Sequence, residues 1–177
     1  MSTTRRAAAP PDLKPAVRSA LATSERITQY LLENLPDAVW DAPPPAGEGR
    51  TVAAIVAHVH NVRLMWLKVA AKGSKIPAQL DKASVKRDQA RKALAASHAA
   101  LDKLVGAALE GDGRIRNFPP DAVAFVGYLI AHEAHHRGQI CSLARQLGYR
   151  LPNAVTFGMW EWNKRRQEAT SVSPSGP

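Results

Sequence analysis

The sequence predicts an all-α fold: a four-helix bundle with an additional short C-terminal helix. Four long segments carry apolar residues at helical spacing, and proline or glycine closes each of them. Strand-like runs are few, so the apolar helix faces have one another to pack against. The chain has 177 residues, enough for one domain with a proper core. Residues 1–12 read as a disordered leader, 13–168 as a single bundle domain and 169–177 as a disordered Ser/Pro/Gly-rich tail.

The first helix is expected over Leu13–Leu35, stopped by Pro36, with Leu21, Ser24, Thr28, Leu31, Leu32 and Leu35 near one stripe. A Pro/Gly-rich loop follows. Thr51 is placed to cap a second helix that runs to about Lys72 and ends at Gly73. The third, alanine-rich helix spans about Ser84–Leu109 and closes at Gly111. Arg114–Phe118 reads as a short extended connector. Pro119, Pro120 and Asp121 open the fourth helix, which stops at Gly148 after Leu147. Asn153 is placed to cap the last helix, to about Glu168.

Composition narrows the function. No apolar run is long enough to span a bilayer, so no membrane partner is expected. One cysteine, Cys141, excludes an internal disulfide and fits a reducing, cytoplasmic setting. The net charge of +9 suits anionic small molecules. Specific nucleic-acid binding is not expected, because no recognition motif accompanies the charge. Lys82, Lys86, Arg87, Arg91 and Lys92 read as the solvated face of the third helix, and Lys164–Arg166 form a second basic run.

The candidate chemistry lies in the histidines. On the fourth helix Phe125, Leu129, His132, His136, Gln139 and Leu143 share a stripe. His132 and His136 are one turn apart and face the same way. On the second helix Thr51, Ile55, His58, Val62, Met65 and Val69 form a similar stripe, and His58 is the best third ligand. Three imidazoles make a platform for a divalent metal with an open coordination position. A polar group on a core face is costly unless bonded or ligated. His60 falls on nearly the opposite side, His135 lies between core face and flank, and His98 has no evident partner. Cys141 lies about 140° off the ligand stripe and reads as a packing residue.

His132-Glu133-Ala134-His135-His136-Arg137-Gly138-Gln139-Ile140 resembles the signature of the DinB-like superfamily, and Thr51–His58, with Asn61, Arg63 and Trp66-Leu67, resembles its second-helix motif. The resemblance runs from about Leu13 to Arg166. It implies a four-helix bundle, often a homodimer, holding zinc, nickel or another divalent ion through His58, His132 and His136. Relatives include thiol S-transferases and isomerases that use low-molecular-weight thiols such as bacillithiol, mycothiol or glutathione on small-molecule substrates. Metal-dependent thiol or water activation is the expected function. In this setting Arg63 and Arg137 are candidates to anchor the charge of a thiol cosubstrate. Gln139 can orient a ligand imidazole or a water. Glu133 can support a neighbouring helix or act as a base, and His135 can assist or replace a ligand.

Two alternatives stand beside this one. His132–His136 also satisfies the H-E-x-x-H pattern of zincin metallohydrolases, in which Glu133 would be the base and Glu161 a third ligand. No strand-rich segment precedes it to edge a protease cleft. The other is a non-catalytic metal-binding stress-response protein. Against that stands the open position, since structural zinc usually takes four protein ligands. Phe157–Trp162, with two of the four Trp residues, reads as a helix closing the bundle end, a dimer contact or a pocket wall.

Overall fold

The computed structural model describes residues 12–171. Seven helices occur among them: α1 (Leu13–Glu33), α2 (Asp37–Trp40), α3 (Val52–Ala70), α4 (Arg87–Glu110), α5 (Ala122–Gln146), α6 (Asn153–Gly158) and α7 (Trp162–Ser171). The expected leader, apart from Asp12, and tail residues 172–177 lie outside the described residues. Asp12 is structured, as the cap that accepts from Lys14 N. Ala169–Ser171 belong to α7 rather than to a disordered tail.

Local chemistry explains the helix starts. Thr51 Oγ1 accepts from Ala54 N at 3.1 Å to open α3, and Asp121 Oδ1 accepts from Ala124 N at 2.8 Å to open α5. Four helices form the bundle: α1 packs on α4 and α5, and α3 packs on α4 and α5. One core cluster joins the C-terminal halves of α1 and α5 to the N-terminal halves of α3 and α4. A second joins the opposite halves. Hence α1 and α5 run one way and α3 and α4 the other. Residues 71–86 are a crossover that returns along the bundle, with Ile76 packed against one cluster and Leu80 and Val85 buried in the other.

Between the two apolar clusters lies a buried polar layer. Glu25, His60, Arg63, Ser97 and Glu133 fill it, one or two from each bundle helix. Arg63 uses all its donors: Nε to Glu133 Oε1 at 2.8 Å, Nη2 to Glu25 Oε2 at 2.6 Å and to Glu133 Oε1 at 2.7 Å, and Nη1 to Leu94 O at 2.9 Å and Ser97 Oγ at 3.4 Å. Burial works against the Arg63 charge, but Glu133 and Glu25 outweigh it and hold its pKa above the ordinary value. Burial likewise pushes the Glu25 carboxyl up, and the Arg63 charge overcomes it to leave the pKa lowered.

The crossover is pinned to α3. The Asn61 side chain donates to Leu80 O at 2.9 Å and accepts from Leu80 N at 3.0 Å. His60 Nε2 meets Ala78 O at 2.9 Å, and its Nδ1 meets Ser97 Oγ at 3.1 Å. Burial lowers the pKa of His60, so the ring is neutral.

Several expectations need correction. α2 was not anticipated: its four residues are too short for periodicity, and burial of Val39 and Trp40 holds it in place. Lys82 and Lys86 lie on the crossover rather than on a helix face, because α4 begins at Arg87. Arg114–Phe118 is a tight turn with Asn117 at φ 62°, not an extended connector. The single C-terminal helix is broken at 159–161. Gly158 there packs so close to Tyr30 that a Cβ would collide with its hydroxyl. Arg165, in the C-terminal basic run, is buried over the Tyr30 ring at 4.0 Å.

Arg63→Met should cost about 3–5 kcal/mol in urea unfolding, because it strands two buried carboxylates. Replacing Glu25 and Glu133 by Leu in the same chain should recover much of that loss. A cost for Arg63→Met within experimental error would show that the network is not structural.

Candidate metal centre

His58 on α3 and His132 and His136 on α5 come together at the seam between these helices. One ring nitrogen from each lies within 4.8 Å of the others. Ring centroids are 4.5 Å apart for His132–His136, 4.8 Å for His58–His136 and 5.5 Å for His58–His132. The Nε2 atoms of His132 and His136 are 3.1 Å apart. Two imidazole nitrogens bound to one zinc ion at about 2.0–2.1 Å, with angles between 90° and tetrahedral, are separated by roughly 2.9–3.4 Å. The His132–His136 pair therefore matches a divalent ion's spacing, and His58 completes a three-imidazole donor set within 4.8 Å.

Protonation also favours this. Burial, then the charges of Arg50, His136 and Lys82, lower the pKa of His58 to about 4. Burial, then the neighbouring imidazoles, bring His132 to about 4 as well. Burial lowers His136 despite its bond to Gln139. All three rings are neutral ligands at pH 7. Gln139 Oε1 lies 2.8 Å from His136 Nδ1, and Gln139 Nε2 lies 3.0 Å from His135 Nε2. The hydrogen-bond network assigns the proton to His136 Nδ1, which leaves the Nε2 lone pair aimed at the centre. Tyr128 stacks on His132 at 6.0 Å and 19° and backs that ring with the aromatic cluster of Trp66, Phe118 and Phe125.

The remaining candidates fall elsewhere. Arg63 cannot anchor a cosubstrate, because it is fully buried and its donors are spent inside the bundle. Arg137 is also turned away: its Nη1 donates to Thr28 Oγ1 at 2.9 Å and approaches Ser24 Oγ at 3.3 Å, across the α1–α5 interface. Glu133 serves Arg63 from the core and does not face the histidines as a base would. Glu161 is exposed, pairs with Lys164 and Arg165, and stands outside the histidine cluster. These two placements remove the residues a zincin would need. His135 is exposed and bonded only to Gln139 among the described residues. His98 lies outside the cluster, with its pKa lowered by burial. Cys141 is half-buried against the core, and burial raises its thiol pKa.

The stripes carried one inversion. His60, expected away from the core, is completely buried, while Met65 and Val69 on the His58 stripe are exposed. The His58 line faces the α3–α5 seam and solvent, and the core face of α3 runs through Val56, His60, Arg63 and Leu67. Sequence reasoning missed Arg50 and Lys82, whose charges reach His58 from a loop and from the crossover. Their approach depends on tertiary folding, which periodicity does not report.

Gln139→Leu should weaken divalent-metal affinity by about 10–100-fold, read by competition with a chromophoric chelator. An unchanged affinity would mean that packing alone orients His136. No curated protein and no solved structure matches the chain. The family model described as DinB family matches residues 17–168, which takes in α3, α5 and all three histidines. The chain belongs to the DinB family.

Proposed function

We propose that the protein is a divalent-metal-dependent enzyme that transfers a low-molecular-weight thiol to a small electrophile, with water as the alternative nucleophile. The observation that carries the reading is the donor set: three neutral imidazoles converge, and the cluster holds no fourth protein ligand among the described residues. Three protein ligands leave room for an exogenous one, as catalytic sites do. Zinc or nickel bound there supplies a Lewis acid that lowers the pKa of a coordinated thiol or water.

The chain's own residues do the rest. His58, His132 and His136 hold the ion. Gln139 fixes the His136 tautomer, and the Tyr128 ring limits how His132 can turn. The protein need not supply a nucleophile, and the raised pKa of Cys141 agrees with a packing role for it. The reading also carries a homodimer in a reducing, cytoplasmic setting. The described residues contain no helix long and apolar enough to cross a membrane.

The test loads the chelator-treated protein with zinc or nickel and assays several thiols against a model electrophile such as 1-chloro-2,4-dinitrobenzene. The expected result is about one ion per chain and thiol-dependent turnover above the uncatalysed rate, both lost in His58→Ala. Full metal loading with no turnover for any thiol would favour the non-catalytic reading.

A further inference from the structure

We propose that the cleft beside His58 is an anion subsite, in which Arg50 and Lys82 take the carboxylate of the thiol whose sulfur faces the histidines. This deepens the thiol-transfer reading and rests on it. The cleft has a volume of about 350 Å³, and Asp41, Arg50, Thr51, Ala54, Lys82 and Lys86 are among its walls. Three segments build it: the end of the loop before α3, the first turn of α3, and the crossover.

Its place relative to the metal centre follows from the helix. Ala54 precedes His58 by four residues, so the cleft wall and the ligand are about 6 Å apart along α3. Cleft and centre therefore adjoin along α3, with the Ala54 wall about one turn before His58.

The charge balance points to an anion. Asp41 is the only carboxylate among the lining residues, and Lys86 meets it at 3.7 Å. Arg50 and Lys82 have no ion pair or side-chain hydrogen bond among the described residues. Both are exposed on the cleft wall, so their charge is free to meet a carboxylate from solution. Arg63 and Arg137, by contrast, spend their donors inside the bundle. Lys82 is held by a structured segment: Asn61 clamps Leu80 on one side, and Asp81 accepts from Ala83 N and Ser84 Oγ on the other. The ligand class is thus a small molecule with a thiol at one end and a carboxylate several bonds away.

The probes are glutathione and glutathione diethyl ester, which share one thiol and differ in whether the carboxylates are masked. Each is titrated calorimetrically into the zinc-loaded protein, with zinc content measured before and after. Wild type should bind glutathione at least about tenfold more tightly than the diester. In R50Q/K82Q that preference should fall below about twofold, with diester affinity and zinc content unchanged. Neutralising a remote pair, K103Q/R116Q, should leave the preference intact. Equal affinity for both probes in wild type would overturn the subsite and leave the thiol reading standing. So would a preference that survives in R50Q/K82Q or vanishes equally in the remote variant. Failure of both probes to bind the zinc-loaded protein would overturn the subsite, and joined to an absence of turnover with every thiol it would overturn the thiol reading as well.

Discussion

The structure depends on a single buried guanidinium. Arg63 stands in the middle of the bundle and binds carboxylates from two other helices and a carbonyl from a third. Burying three charges carries a desolvation cost of several kcal/mol per ion, offset only where the geometry is good and the donors are satisfied. Apolar residues could slide against one another at small cost. A guanidinium with every donor used cannot, so the layer fixes the register of α1, α3, α4 and α5 together.

That register sets the site. Arg63 is five residues beyond His58 on α3, and Glu133 lies between His132 and His136 on α5. One ion pair on the inner side of the α3–α5 seam therefore positions three imidazoles on its outer side. A slip of one turn would move His58 by about 5.4 Å, more than the spread of the ligand nitrogens. The same layer reaches outward through His60 and Asn61, which hold the crossover that carries Lys82 to the cleft. Core, ligand geometry and local charge are thus parts of one arrangement.

The bundle was legible because helical periodicity and Pro/Gly punctuation are local signals. Thr51 and Asp121 mark helix starts that the structure keeps. The pairing of His132 with His136 was legible for the same reason, since i and i+4 always share a face. What failed was whatever depends on other segments. The apolar residues of the His58 stripe suggested a core face, yet a polar layer centred on Arg63 and His60 occupies that core. Arg63 looked like a surface anchor because two carboxylates distant in sequence cannot be foreseen as its partners. The direction of the crossover, and with it the place of Lys82, is a topological fact with no local signature. Gly158 stands in the sequence at the break before α7, but its close packing on Tyr30 is tertiary and has no local signature.

The central claim is that the α3–α5 register assembles a three-histidine metal centre with room for an exogenous ligand. The most direct measurement is a crystal structure of the metal-loaded protein with anomalous data collected at the metal edge. The account predicts one peak about 2.0–2.1 Å from a ring nitrogen of each of His58, His132 and His136, with non-protein density completing the coordination. A peak on His135 or Glu161 instead, a fourth protein ligand closing the site, or no peak after loading would contradict it.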